Sequence, residues 1–426
     1  MNTIGRHLLP DSAEVRHGRL HIGGCDVHEL GRTHGTPLFV YDEMHLRSRC
    51  AEAVRSFGAD SVVYATKAFL CLEMARLAHE EGLMLDVATG GELFVALTAG
   101  VPANRCVMHG NNKSGSELRE ALRVGVRHIV VDSFDELDRI DALVAEGLPR
   151  PRVQLRITPG VYVHTHEYVS TGQNDSKFGF NLANGDALRA VQRARDSSAV
   201  DLVGIHCHIG SNVFETANFT KAAGVMVEFA NKCGVAELTM GGGLGVAYLN
   251  AERAPSISDW ATALREACAG LRAGTKVYVE PGRAVVASAA VTLYEVGTIK
   301  AIPGIRTYVA VDGGMSDNPR PVLYGSGYEA FVPARTDADR TLDVRVVGKH
   351  CESGDVLIAD ASLPADLRVG DIIATPVTGA YGHSMGSNYN KVPRPAVVFV
   401  RNGTSRVVVR RESYEDLVRN DVTDSV

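Results

Sequence analysis

A lysine stands at the end of a short apolar run that begins at Val62, in the stretch Val-Val-Tyr-Ala-Thr-Lys. The β-branched start of this run is typical of a buried strand in a parallel sheet. A lysine at the end of such a strand, here Lys67, is costly to bury unless it has a chemical task. Desolvation lowers the pKa of an amine and leaves it nucleophilic, as a Schiff-base lysine requires. The alternative interpretation is a lysine that simply reaches solvent.

Other groups capable of chemistry follow later apolar runs in the same way. Each alone has a plain interpretation, such as a helix cap for an acid or a satisfied core histidine, but their shared placement predicts one common site. They are Asp86, His109, His206, His208, Gly241 to Gly243, Glu280 and Arg283.

The last of these groups indicate what the site binds. Glycines at 241 to 243 let backbone N–H groups approach an anion closely, although such clusters often only form turns. Arg283 adds charge for a phosphate. A carboxylate such as Glu280, facing a pyridine nitrogen, keeps that nitrogen protonated, and a pyridinium is the stronger electron sink. Glu280 therefore favours decarboxylation over racemisation.

Eight apolar runs of strand length alternate with segments of helical spacing between Asp42 and about residue 285. These strands and helices must position the groups named above. This arithmetic predicts a (β/α)8 TIM-type barrel, with a doubly wound sheet as the competing fold. From Ala284–Lys300 onward, short strands separated by turns predict an all-β domain, a sandwich or barrel. We expect N-terminal strands to join it. The predicted divisions are 1–41, 42–285 and 286–426.

The composition narrows the possible functions. The chain has 426 residues, with 45% hydrophobic and 22% charged residues, which is typical of a soluble globular protein of two domains. A net charge of −6 gives no basic face for nucleic acid. We expect no membrane span, no secretory signal and no metal site. Eight scattered cysteines without a Cys-x-x-Cys pair suggest reduced thiols in a cytoplasm.

Seven motifs together resemble the fold-type III pyridoxal 5′-phosphate (PLP) decarboxylases, which have an alanine racemase-like barrel. They are ATKAF, HCHIGS, GGGLG, EPGR, DGGMSDNPRP, GKHCESGD and GAYGHSMGSNYN. The chain is most similar to the diaminopimelate decarboxylase branch. The resemblance implies decarboxylation of meso-2,6-diaminopimelate to L-lysine and CO2, the last step of bacterial lysine biosynthesis.

The resemblance also implies residue roles. Lys67 forms the Schiff base with PLP, His208 lies against the ring, Asp86 sits close by, and Glu280 pairs with the ring nitrogen. Cys351 is the proton donor to the carbanion. The implied phosphate-side residues are Ser211, Gly243, Gly282, Arg283 and Tyr381; the implied substrate residues are Arg283, Arg320, Tyr324, Glu352 and Tyr381. In this family Cys351 and Glu352 come from the partner subunit of a homodimer.

The residue types agree with these roles. Cys351 follows Lys349 and His350, and neighbouring cations favour a thiolate. Arg320 suits a distal carboxylate and Glu352 suits a distal ammonium. This pair of residues favours diaminopimelate over ornithine or lysine as the substrate. The open alternatives are the same machinery acting on ornithine, arginine or carrier-bound glutamate, a racemase of the same fold, and a non-catalytic partner-binding relative.

Overall fold

The computed structural model describes residues 4–161 and 172–423. The chain forms two compact units. The barrel unit comprises Arg47–Val246 and Ala254–Ala284, and the β unit comprises Met1–Leu46, Ala247–Arg253 and Val285–Val426. The divisions predicted from the sequence did not foresee that the short segment Ala247–Arg253 belongs to the β unit.

In the part of the barrel unit that the structure describes, a short strand, Phe180–Asn181, pairs with Arg152–Thr158, and eight parallel strands close on themselves. Each strand pairs with its neighbours in chain order, and a parallel bridge between Val62 and Val279 joins the first strand to the last. The amide of Val63 donates to the carbonyl of Val279 at 2.9 Å. This confirms the predicted TIM-type barrel and excludes the open doubly wound sheet. The strands are Val63–Ala65, Met84–Val87, Cys106–Met108, His128–Val131, Arg152–Thr158, Asp201–His206, Glu237–Thr239 and Lys276–Tyr278.

Helices follow the strands, and local caps fix where they begin. Asp42 accepts hydrogen bonds from the amides of Met44 and His45 at 3.0 and 3.2 Å, as its position predicts. Ser114 and Glu117 form a reciprocal capping box. The helices in this part of the chain are Glu43–Phe57, Leu72–Glu80, Gly90–Thr98, Gly115–Val124, Phe134–Ala145, Asp186–Asp196, Thr216–Cys233, Ile257–Ala267 and Arg283–Val286. Among the described residues, no helix is both long and apolar enough to cross a bilayer.

The β unit contains an eight-stranded sheet and a small three-stranded one. Leu38–Asp42 lies between Ala290–Ile302 and Ala396–Arg401 in the larger sheet, so the N-terminal part of the chain does join the C-terminal strands. The remaining strands of the larger sheet are Arg306–Val311, Leu342–Val347, Val356–Leu363, Ile372–Pro376 and Thr404–Val409. The smaller sheet consists of Glu14–Arg16, Arg19–Ile22 and Cys25–Asp26, and the helices of the unit are Val27–His34, Arg320–Tyr324 and Tyr414–Val418.

One predicted strand begins later than expected. The sequence placed a strand over 284–300, but a helix, Arg283–Val286, and a 3-10 turn, Ala287–Ala289, precede the strand that begins at Ala290. Repeated small and β-branched residues satisfy helix and strand patterns equally over so short a run. The boundary was therefore wrong by six residues at this point.

A buried polar cluster lies at the amino-terminal end of the barrel. Glu237 Oε2 lies 3.1 Å from His128 Nε2 and accepts from Gln154 Nε2 at 2.9 Å, while Oε1 accepts from Arg152 at 2.9 Å. Burial alone would raise the pKa of Glu237, but these partners lower it to about 2. This end of a barrel usually serves stability, so we assign the cluster to stability.

We expect Glu237→Gln to reduce the free energy of unfolding at pH 7 by about 3 kcal/mol or less. The carboxylate's pKa is lower in the folded chain than the unfolded value of about 4.3. Its contribution is therefore complete above that value and is lost as pH falls towards the folded pKa of about 2. Urea denaturation at pH 7, 5 and 3.5 measures this. The exposed Glu146→Gln is the control, and a wild-type-to-variant difference that stayed constant down to pH 3.5 would contradict the assignment.

Candidate active site

The lysine lies in a short 3-10 turn, Thr66–Ala68, directly after the first barrel strand. The hydroxyl of Thr66 donates to the carbonyl of Asp86 at 2.6 Å and ties this turn to the second strand. Lys67 itself is exposed, so the expectation that burial activates this amine is wrong. Its charge instead acts on a neighbouring imidazole, that of His208, and lowers the pKa of that ring.

Glycines allow four chain segments of the barrel unit to meet at this rim. A Cβ on Gly242 would lie 1.9 Å from the carbonyl oxygen of Glu280, and one on Gly243, where φ is +104°, would lie 2.0 Å from that of Gly210. A Cβ on Gly282 would lie 3.0 Å from the carbonyl oxygen of Ala65. Real Cβ atoms almost never come within 3.0 Å of another heavy atom, so positions 242 and 243 require glycine. At position 282 a Cβ would be unusually tight.

One side of the rim has the chemistry of an anion site. Arg283 Nη2 donates to Ser211 Oγ at 3.0 Å. The amide of Val213 donates to the carbonyl of Gly243 at 2.9 Å, which joins the loop after the sixth strand to the glycine loop. Asn212 between them has φ +62°, a conformation in which asparagine is enriched. A guanidinium, a hydroxyl and flexible backbone amides are groups that bind phosphate.

His208 presents a neutral ring. The amide of Gly242 donates to its Nδ1 at 3.2 Å, so this nitrogen carries a lone pair and the hydrogen is on Nε2. Burial, together with the nearby charge of Lys67, holds the pKa of His208 well below its usual value. An uncharged, oriented imidazole is suited to lie against a planar ligand ring.

Glu280 is buried with one imidazole at each carboxylate oxygen. His206 Nε2 is hydrogen-bonded to Oε2 at 2.9 Å, and His109 Nε2 lies 3.0 Å from Oε1 in a less well aligned ion-pair contact. Asp86 Oδ1 lies 3.8 Å from the same His109 nitrogen. The ligand atoms of His109, His206 and Glu280 lie within 4.8 Å of one another. Since each imidazole lies at its own carboxylate oxygen, we assign the three residues as an ion-pair set.

The pKa shifts of this set follow from burial and charge. Burial would raise the pKa of Glu280, yet the charges and hydrogen bonds of the two histidines hold it well below its usual value. Burial opposes protonation of His109, but Asp86 and Glu280 raise its pKa. Burial lowers the pKa of His206. The shifts therefore favour the ionised form of Glu280, the charged form of His109 and the neutral form of His206.

Sequence reasoning missed one cation of the barrel interior, Arg156. Its guanidinium lies 4.1 Å from the centre of the Phe178 ring and 3.7 Å from Asp132 Oδ2. Burial lowers the pKa of Arg156, and the acids Asp132, Glu280 and Asp86 oppose that shift. The sequence signal was an arginine in the middle of the strand Arg152–Thr158, flanked by apolar residues, since a charge inside such a strand is costly unless it is paired.

Four of the predicted substrate residues and the predicted proton donor, Cys351, lie in the β unit. The four are Arg320, Tyr324, Glu352 and Tyr381. Arg320 is buried, and its guanidinium lies 4.1 Å from the centre of the Tyr248 ring. It donates to the hydroxyl of Tyr328 and to Ser326 Oγ, the latter at 3.1 Å. Burial opposes its charge, but the two tyrosines raise its pKa above the usual value. Sequence reasoning missed this tyrosine cage, because Tyr248 comes from the short segment Ala247–Arg253.

The loop of Cys351 is fixed by hydrogen bonds within the β unit. The carboxylate of Asp355 accepts from the amides of Met315 at 2.7 Å and His350 at 2.9 Å. The amide of Cys351 donates to Asn390 Oδ1 at 3.0 Å. The thiol is exposed, whereas the other seven cysteines are buried. The structure thus brings together three of the motifs that carry the resemblance and leaves Cys351 and Glu352 accessible.

Tyr324 and Tyr381 are each partly buried in the β unit. Tyr324 ends the short helix Arg320–Tyr324, which begins with the caged arginine. Tyr381 has φ +59°, a left-handed conformation that is rare for an aromatic residue. Such strain often marks a functional position.

Comparison with known proteins gives one consistent result. Residues 43–287 match a family described as pyridoxal-dependent decarboxylase, pyridoxal binding domain. The chain is 45% identical to the diaminopimelate decarboxylase of Bacillus subtilis, over 96% of this chain and 97% of that protein. It is 46% identical to that of Mycobacterium tuberculosis, over 94% of each. A diaminopimelate decarboxylase from M. jannaschii, solved with L-lysine, superposes with a TM-score of 0.91 at 32% identity, covering 97% of this chain and 98% of that one.

Proposed function

We propose that this chain, which belongs to the diaminopimelate decarboxylase family of PLP-dependent enzymes, decarboxylates meso-2,6-diaminopimelate to L-lysine and CO2. One observation carries the proposal: at a single barrel rim, an exposed lysine lies near a neutral imidazole and a buried carboxylate kept ionised. Incubation of the protein with PLP and meso-diaminopimelate, followed by measurement of lysine and CO2, tests it. Ornithine and arginine serve as rival substrates.

The residues of the barrel rim fit PLP. Lys67 would supply the amine that binds the aldehyde, and His208 would offer its neutral ring to the cofactor ring. Glu280 would keep the ring nitrogen protonated, and Asp86 would contribute charge close to the lysine. When bound, PLP supplies an electron sink for the electrons that CO2 leaves behind. We assign the phosphate to Ser211, Gly243, Gly282, Arg283 and Tyr381.

Residues of the β unit supply recognition and a proton. Arg320 binds the distal carboxylate in bidentate fashion, because its cage of Tyr248 and Tyr328 keeps the guanidinium charged and oriented. Glu352 accepts the distal ammonium, and Tyr324, Tyr381 and Arg283 complete the substrate contacts. Cys351 gives its proton to the α-carbon after CO2 departs, and its exposure leaves the thiol accessible for this step.

We further propose a homodimer with shared sites, in which Cys351 and Glu352 act in the partner's active site. Both side chains are exposed, on a loop that Asp355 and Asn390 hold in place. A rigid loop that displays a thiol and an acid suits a contribution made to another chain. We place the enzyme in the cytoplasm, because its eight cysteines are free thiols.

Lys67→Ala removes the amine that binds the cofactor aldehyde. We expect complete loss of turnover and of the absorbance band of lysine-bound PLP, with little change in thermal stability, because Lys67 is exposed. Absorbance spectra and lysine release measure the two effects. Lys276→Ala, also exposed in the barrel unit, is the matched control. Wild-type turnover in Lys67→Ala would contradict the assignment.

Arg320→Lys keeps a charge at this position but cannot form the bidentate contact. We expect kcat/KM for meso-diaminopimelate to fall about 100-fold, because a charged hydrogen-bonded contact is worth about 1.5–3 kcal/mol. The affinity for PLP should not change. Arg306→Lys, in the same unit, is the control. Equal losses of substrate use and PLP affinity would refute the distal-carboxylate role.

Mixing two inactive variants tests the shared site. If Cys351 acts in the partner's active site, Lys67→Ala and Cys351→Ala subunits restore one complete site in each mixed dimer. Random exchange then gives about one quarter of wild-type activity. Activity after co-unfolding and refolding the two variants measures this. If the mixture stays inactive while wild-type protein recovers after the same treatment, Cys351 does not act in the partner's site.

A further inference from the structure

Burial favours the protonated form of a carboxylate, because charge is costly away from water. A protonated Glu280 would have no negative charge with which to keep a ring nitrogen protonated. Its role in the proposed function therefore requires something that keeps it ionised. The structure offers two groups for this, one at each oxygen: His109 Nε2 at 3.0 Å from Oε1 and His206 Nε2 at 2.9 Å from Oε2.

The two histidines also fix the direction of the carboxylate. The terminal torsion of a glutamate is broad, so a single contact leaves the carboxylate plane free to turn. Here the imidazole rings meet nearly edge to face, with centroids 5.1 Å apart and an interplanar angle of 66°. His109 and His206 contact separate oxygens of Glu280, and together they hold the carboxylate plane in one orientation.

We propose that His109 and His206 are positioning residues that hold Glu280 ionised and oriented towards the ring nitrogen of PLP. This inference rests on the proposed function for the place of the cofactor. The two histidines do not play the same part. His109 lies between Glu280 and Asp86 and acts as a cation. His206 acts as a neutral hydrogen-bond donor, because its second nitrogen, Nδ1, lacks a hydrogen-bond partner among the described residues.

The surroundings agree with this division. The other titratable groups that interact with this set are Asp86, Arg156, Cys207 and His208. Burial raises the pKa of Cys207 to about 12, so its thiol stays neutral. Arg156 lowers the pKa of both histidines, and the nearby acids oppose this effect most strongly at His109. A positive charge is therefore favoured on His109 and not on His206.

Glutamine substitutions separate the two parts, because glutamine donates a hydrogen bond but carries no charge. We expect His206→Gln to bind PLP as wild type does, and His206→Leu to bind it ten- to hundredfold more weakly. At position 109 we expect both His109→Gln and His109→Leu to weaken PLP binding ten- to hundredfold. Equilibrium dialysis measures affinity without reference to turnover. His79→Gln, on a helix of the same unit, is the control.

A direct readout is the 15N chemical shift of PLP labelled at its ring nitrogen. We expect the protonated value in wild type and His206→Gln, and a shift towards the neutral value in His109→Gln and both leucine variants. In the Glu280→Gln background, the histidine substitutions should cause no further loss of affinity.

Several results would overturn the inference. A protonated ring nitrogen and wild-type affinity in both leucine variants would do so, as would full additivity with Glu280→Gln. Zinc bound stoichiometrically through these three residues in the purified holoenzyme would also overturn it. If wild-type protein binds PLP but does not decarboxylate diaminopimelate, the substrate assignment fails and the positioning role still stands. If a leucine variant does not fold, the glutamine pair decides.

Discussion

Closure of the barrel is the constraint on which the site depends. Lys67 follows the first strand and Glu280 the last. In an open sheet of eight strands they would lie at opposite edges, roughly 34 Å apart at the usual strand spacing. The bridge between Val62 and Val279 makes these strands neighbours, and the amide of Ala65 donates to the carbonyl of Pro281 at 3.1 Å. The lysine and the acid therefore share one rim because the sheet closes.

Close approach of the backbone is the second requirement. The glycine loop after the seventh strand packs directly on the carbonyl of Glu280, with no room for a side chain at Gly242. This close packing also places the amide of Gly242, which donates a hydrogen bond to His208 and selects the tautomer of its ring. The turn that allows an anion to approach thus also orients the imidazole. The same loop geometry therefore serves both the backbone packing and the orientation of His208. A loop with side chains at these positions could not provide either.

Much of this organisation was predictable from the sequence. Apolar runs of strand length identify all eight barrel strands to within a few residues, and parallel strands necessarily bring their final residues to one edge. The exposure of Lys67 was not predictable, because a run of residues does not reveal how the chain turns after it. Nor was the contact between His206 and Glu280, which are 74 residues apart. The cage around Arg320 was missed because Tyr248 lies within a stretch otherwise typical of the barrel.

Among the described residues of the barrel, two buried glutamates lie beside histidines, and the number of their contacts distinguishes their roles. A carboxylate accepts about four hydrogen bonds. Glu237 has four partners, since Tyr278 also approaches its Oε1 at 3.5 Å, besides His128, Gln154 and Arg152. Glu280 has one imidazole at each oxygen, so each oxygen keeps a further position at which to accept. Glu237 is saturated and therefore suited to stability. The ionised form of Glu280 is favoured, and its carboxylate can still accept one more N–H, as the proposed contact with a pyridinium requires.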